Sequence, residues 1–207
     1  MERRTPSVPV AVAAFRQLAA RLPPGAVVWR YDPILVGPAF PAARHAETFG
    51  RIAAGLEGHT RRVVVSIVDV YAKTRRRLGR VLRWGEDLAP EPAAWPGLDD
   101  LLGRLVSIAE DHGLAVEACA EPQDLTSLGI APTKCIDDAL LGTLYGGTWS
   151  RTKDRGQRAS CRCISSRDIG RTDTCIFGCR YCYATRADHV ARARHVAHDP
   201  RAARLCD

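Results

Sequence analysis

The 207-residue sequence contains no run of 18 or more apolar residues, so no membrane-spanning helix is expected. Its start, MERRTPSVPVAVAAF, joins two arginines to a short apolar stretch, but Gln17 and Arg21 follow and no small-residue cleavage site does. That start reads as an ordinary helix, and the chain as cytoplasmic. No internal repeat is present, which argues against solenoids and propellers. The six histidines are scattered, and none pairs with a second ligand at metal-binding spacing. His189 and His195 read as exposed. Aromatic residues are only 6% of the chain.

What is there begins with a 46% apolar fraction, enough for one core with an appendage. The net charge of +7 sits in one place. Residues 1–150 carry 17 basic and 17 acidic side chains, whereas residues 151–207 carry 13 and 6. A basic segment attracts phosphate, nucleic acid or an anionic metal cluster. It lacks the interleaved aromatics of a base-stacking platform, so nucleic acid is the weaker partner. KTRRR at 73–77 reads as a solvated turn of helix.

Strands are expected at 26–33, 62–70 and 114–121, and helices at 8–21, 42–57, 98–113, 135–145 and about 185–195. Gly113 is the expected C-cap of the 98–113 helix. The alternation implies an α/β fold with a parallel sheet. Residues 1–149 form that domain, and residues 150–207 a cysteine-rich segment packed on it. Ligand sites in parallel α/β folds form at the C-terminal strand ends. Asp32, Asp69, Glu117 and Glu121 lie at those ends, and the period of two puts Glu117, Cys119 and Glu121 on one face. These four acids are the candidate catalytic residues.

Seven of the eight cysteines lie between 119 and 182, which in a reducing compartment points to metal or redox chemistry. CIFGCRYCYA at 175–184 places Cys175, Cys179 and Cys182 at C-x3-C-x2-C. Three thiolates hold three irons of a [4Fe-4S] cube and leave one iron open, which can take S-adenosylmethionine. Gly178 lets the chain curl, and Tyr181 would shield the cluster. Zinc is the alternative. An electron donor of ferredoxin or flavodoxin type would be needed. Cys119, Cys135, Cys161 and Cys163 number four, the ligand count of a closed site, either a second iron–sulfur cluster or zinc. Cys206 reads as incidental. Arg151, Lys153, Arg155, Arg158, Arg162, Arg167, Arg171 and Arg180 would offset cluster charge.

WRYDPI at 29–34, CAEPQDL at 119–125, CIDD at 135–138, KDRGQRASCRC at 153–163 and SRDIGRTDTCIFGCRYCYA at 166–184 resemble the bacterial family known as domain of unknown function 1848. The resemblance covers nearly the whole chain, most strongly 114–184. It implies a (β/α) barrel-like fold and a C-terminal cysteine cluster similar to that of radical S-adenosylmethionine enzymes, with Cys175, Cys179 and Cys182 as its ligands. The other four cysteines also fall in family motifs. Family members usually carry a further N-terminal stretch, so the resemblance implies a shortened, partial barrel here. No Gly-Gly-Glu of the radical-enzyme type follows the triplet. The competing readings are a metal-stabilised, non-catalytic module that binds nucleic acid and a two-cluster electron carrier.

Overall fold

The structure is a computed structural model and describes residues 1–203. Cys206 lies outside the described residues. In chain order the elements are α1 (Val8–Ala19), β1 (Trp29–Ile34), α2 (Ala42–Leu56), β2 (Arg62–Ile67), α3 (Ala72–Leu78), α4 (Leu98–Asp111), β3 (Ala115–Cys119), β4 (Ala131–Thr133), α5 (Asp138–Tyr145) and α6 (Asp188–Ala197). They fall into two compact units. The larger comprises Ser7–Asp69 and Trp84–Ser166; the smaller comprises Met1–Pro6, Val70–Arg83 and the described residues from Arg167.

The larger unit is α/β. Its strands are all parallel and neighbour one another in chain order, β1-β2-β3-β4. β2 lies second in the sheet, and Val63, Val64 and Val65 are all buried because both faces are covered. β4 was not expected from the sequence. It has three residues with Pro132 in the middle, and proline argues against a strand except at an edge, which is where β4 lies. β1 forms the other edge and runs past Pro33 to Ile34, with a register shift between Tyr31 and Ile34.

One sheet face is packed by helices. α2 buries His45, Phe49, Ala53 and Leu56, and α4 buries Leu98, Leu101, Leu102, Leu105 and Ala109, each a single stripe of helical period. These side chains meet Trp29, Val63, Val65, Val116 and Ala118 in one core. α1 approaches α2 at Gly55, where a Cβ would stand 3.0 Å from Val12, and Arg16 Nε donates to the Gly55 carbonyl at 2.7 Å. Gly113 ends α4 as expected. At φ +66° it lets Leu114 N–H reach the Ala109 carbonyl at 2.9 Å. On the other face Val64, Cys119 and Ala120 are buried with Cys161 and Cys163.

His45 ties α2 to β1. Its Nε2 donates to the Leu35 carbonyl at 2.7 Å, and its Nδ1 accepts from Tyr31 Oη at 2.9 Å. Burial pushes its pKa below the usual imidazole value. The unfolded chain therefore takes up a proton near pH 6.5 that the folded chain resists, so stability falls as pH drops below about 6.5. The melting-temperature gap between wild type and His45→Gln is expected to shrink from pH 7 to pH 5.

Candidate functional site

A group of polar residues lies toward the C-terminal ends of β1, β2 and β3. Arg30 donates to Asp32 Oδ2 at 2.5 Å through Nη2 and at 3.2 Å through Nε, and Ser66 Oγ donates to the same oxygen at 3.4 Å. Asp69 forms an ion pair with Arg158. Glu121 Oε1 accepts the Ile67 N–H at 2.9 Å. Burial holds the Glu121 carboxyl above its ordinary pKa, and the charge of Asp69 adds to that. Asp32, Asp69 and Glu121 thus sit on neighbouring strand ends.

Glu117 has a different setting. It lies inside β3, where Arg62 Nη1 reaches its Oε2 at 3.0 Å and Asp137 at 3.8 Å. Both partners are about four-fifths shielded, with side-chain exposures of 19% and 20%. Such a pair is structural, since each charge leaves the other unpaired if removed. Glu117→Gln keeps the hydrogen bond and is expected to cost under about 1.5 kcal/mol, whereas Arg62→Met strands two carboxylates and costs about 2–3 kcal/mol. Urea unfolding of the two variants checks the order. The alternation that placed Glu121 beside Glu117 stops at Ala120, whose φ is +56°.

Beyond β3 and β4 lies a cavity of about 300 Å³, lined by Glu121, Asp124, Thr126, Thr133, Ser160 and Arg162 among others. Asp124 is occupied by the amide and hydroxyl of Thr126, and Ser160 Oγ donates to the Ala120 carbonyl at 2.8 Å. Glu121 thus belongs both to the strand-end group and to the cavity wall.

Cys119, Cys135, Cys161 and Cys163 all belong to this unit. The Cys119 and Cys135 sulfurs are 2.8 Å apart, and Arg30 Nη1 donates to Cys135 Sγ at 2.8 Å. The hydrogen bond with Cys135 holds Cys119 down to about 7 against the effect of burial, and Cys135 is pushed up in turn. Cys163 Sγ accepts the N–H groups of Cys135 at 3.2 Å and Ile136 at 3.4 Å. Three of the expected charge-offsetting residues are already engaged in this unit. Arg151 pairs with Asp138, Lys153 with the Ala159 carbonyl and Arg158 with Asp69.

The smaller unit holds the triplet. Cys182 N–H donates to the Cys179 carbonyl at 3.2 Å, so residues 179–182 form a tight turn, and Gly178 precedes it at φ +67°. Cys182 Sγ accepts the Thr185 N–H at 3.4 Å. Cys175 is exposed, and Cys179 and Cys182 are half-buried. Burial pushes the Cys179 thiol up, and the nearby charges of Glu2, Cys182 and Cys175 add to it. Tyr181 Oη donates to Glu2, and burial with that carboxylate holds its pKa above the ordinary phenol value.

The frame of this loop was not legible in the sequence. Arg4 N–H donates to the Phe177 carbonyl at 3.1 Å, its Nε to the Ile176 carbonyl at 2.6 Å, and Arg180 N–H to the Met1 carbonyl at 3.2 Å. KTRRR is a turn of helix as expected, with Arg75 and Arg76 exposed, but Lys73 and Arg77 are engaged. Lys73 Nζ donates to the Tyr183 carbonyl at 2.6 Å, and Arg77 Nη1 to those of Cys182 at 3.0 Å and Thr185 at 2.7 Å. The four-residue spacing of Lys73 and Arg77 on α3 was the available signal, since it puts both on one face. Asp173, 1% exposed, receives the Arg186 and Ala187 amides and Arg186 Nε, and is held down to about 2 by them.

Among the described residues, no three His, Cys, Asp or Glu side chains stand in a ready metal-holding group. The triplet fits an iron–sulfur cluster by donor type and chain path: three thiols within eight residues, a glycine at positive φ between them, and an amide already on one sulfur. No helix among the described residues is long and apolar enough to cross a membrane. No curated protein and no solved structure matches the chain. A family model described as "Domain of unknown function (DUF1848)" matches residues 1–184, and the chain belongs to that family.

Proposed function

We propose that this chain is an iron–sulfur protein of radical S-adenosylmethionine type, with Cys175, Cys179 and Cys182 as ligands of a [4Fe-4S] cluster and the larger unit as a partial (β/α) barrel-like sheet. The loop itself carries the reading. Its turn at 179–182, Gly178 at φ +67° and the Thr185 amide on Cys182 Sγ are what a chain folded round a thiolate-bound cluster needs. When bound, such a cluster with S-adenosylmethionine supplies one-electron cleavage of the sulfonium.

The chain's own residues hold and shield. Lys73 and Arg77 fix the carbonyls of residues 182, 183 and 185, and so hold the backbone that carries the last ligand. Tyr181 stays protonated at working pH and donates to Glu2. Asp32, Asp69 and Glu121 are the substrate-side candidates. Glu121 is the strongest, since burial raises its pKa above the ordinary carboxylate value and it lines a cavity. Glu117 supports its strand through Arg62.

Anoxically reconstituted protein with a strong reductant and S-adenosylmethionine is expected to form 5′-deoxyadenosine. If Cys179→Ala forms it at the wild-type rate, the assignment is wrong. The competing nucleic-acid module would instead bind DNA or RNA with a steep salt dependence and make no such product.

A further inference from the structure

The four cysteines of the larger unit come from three stretches of chain, the end of β3, the turn before α5 and the 150–166 segment. The fold delivers all four to the sheet face that the helices leave uncovered. We propose that Cys119, Cys135, Cys161 and Cys163 form a closed thiolate site for a single zinc ion, which fastens the 150–166 segment to the sheet.

Proximity is the first support. Cys119 and Cys135 touch at 2.8 Å, Cys163 Sγ lies 3.2 Å from the Cys135 nitrogen, and Cys119, Cys161 and Cys163 are buried in one cluster with Val64 and Ala120. A single buried cysteine is commonly a small core hydrophobe. Four thiols gathered from three stretches are not accounted for that way; they are near neighbours rather than a ready metal-holding group, and ligation would draw the sulfurs into place. The backbone around them is fixed: Cys161 N–H donates to the Arg158 carbonyl at 3.0 Å, Asp154 N–H to the Cys163 carbonyl at 3.0 Å, and Ile164 N–H to the Ile136 carbonyl at 3.2 Å. Two amides already point at Cys163 Sγ, the outer-shell bonding that orients metal thiolates.

Size favours a single ion over a cube. Zinc–sulfur bonds of about 2.3 Å in a tetrahedron put thiolate sulfurs about 3.8 Å apart. The Cys119–Cys135 pair, at 2.8 Å, has to part by about 1 Å. A four-iron cube inserts four metal atoms between its ligands and demands a much wider spread. Charge agrees, because four thiolates around one divalent ion leave two negative charges and Arg30 Nη1 stands 2.8 Å from Cys135 Sγ. Four thiolates fill a tetrahedron and leave no open coordination position, three of them are buried and Cys135 is exposed, so the site is structural. The need is plain too. From Gly146 to Ser166 the chain holds no helix or strand beyond one isolated bridge between Lys153 and Ile164. A segment of that length in a compact domain calls for a fastening.

The test uses full-length chain in which Cys175, Cys179 and Cys182 are all replaced by Ser, so the proposed cluster is absent and its failure cannot be mistaken for failure of this site. After purification in zinc-containing buffer and extensive dialysis, one zinc per chain is expected. After chelation, cobalt(II) should give the intense visible bands of a tetrahedral thiolate complex, and zinc should displace it. Adding Cys163→Ser should weaken zinc binding at least about tenfold. In case that variant fails to fold, the cobalt titration of otherwise intact protein stands as the second readout. Zinc below a tenth of an equivalent, a weak octahedral cobalt spectrum, or iron–sulfur absorption persisting in the triplet-free protein each overturns the proposal.

Discussion

Cys179→Ala is expected to remove essentially all cluster iron, leaving less than about a tenth of the wild-type content after anoxic reconstitution. Of the three proposed ligands it has the least slack. It is the middle ligand, its half-buried thiol is what the substitution removes, and it follows Gly178 at φ +67°. A cluster already lacking a fourth protein ligand cannot spare one of three. Cys175→Ala and Cys182→Ala should behave alike, because each iron lost opens the cube to hydrolysis. Circular dichroism in the far ultraviolet should stay near wild type, since the α/β core belongs to the larger unit. Visible absorbance and colorimetric iron read the result, and retention of half the iron in Cys179→Ala would contradict the ligand assignment.

Phe49→Ala is expected to be the most damaging single change in the larger unit, at about 3–5 kcal/mol. Phe49 has no exposed surface, and its ring centroid lies 4.6 Å from that of Trp29 and 5.1 Å, edge to face, from that of Tyr31. Those aromatic contacts add to the area term. β1 is an edge strand, paired among the described residues with β2, so the cavity would open beneath the element that also carries Arg30 and Asp32. Against a typical total of about 5–15 kcal/mol, the loss is a third or more of the stability. Val10→Ala on α1, 58% exposed, is the control and should stay within about 0.5 kcal/mol. Guanidinium midpoints compare the two, and a loss below 1 kcal/mol at Phe49 would contradict the packing described.

Local signals survived the passage from sequence to structure, and distant ones did not. The VVV run of β2, the leucine stripe of α4 and the Gly113 cap follow from residue periods and φ preferences that act within a few residues. β4 was hidden because Pro132 contradicts a strand unless the edge position is known. The Arg62–Glu117 pair was hidden because a strand-end acid and a mid-strand acid look alike until register is fixed, and register pairs Val64 with Glu117. The Cys-x3-Cys-x2-Cys loop is legible because its spacing is local. Its frame is not: Tyr181 and Glu2 are 179 residues apart in sequence. The other four cysteines could be counted from the sequence, but their convergence needed the parallel sheet that brings the end of β3 beside β4.

The central claim is that the triplet holds an iron–sulfur cluster, and the metal content of wild-type protein purified and reconstituted without oxygen tests it most directly. About four irons and a matching amount of acid-labile sulfide per chain are predicted. Protein with less than one iron, and with zinc that is lost when Cys175, Cys179 and Cys182 are replaced, would contradict it.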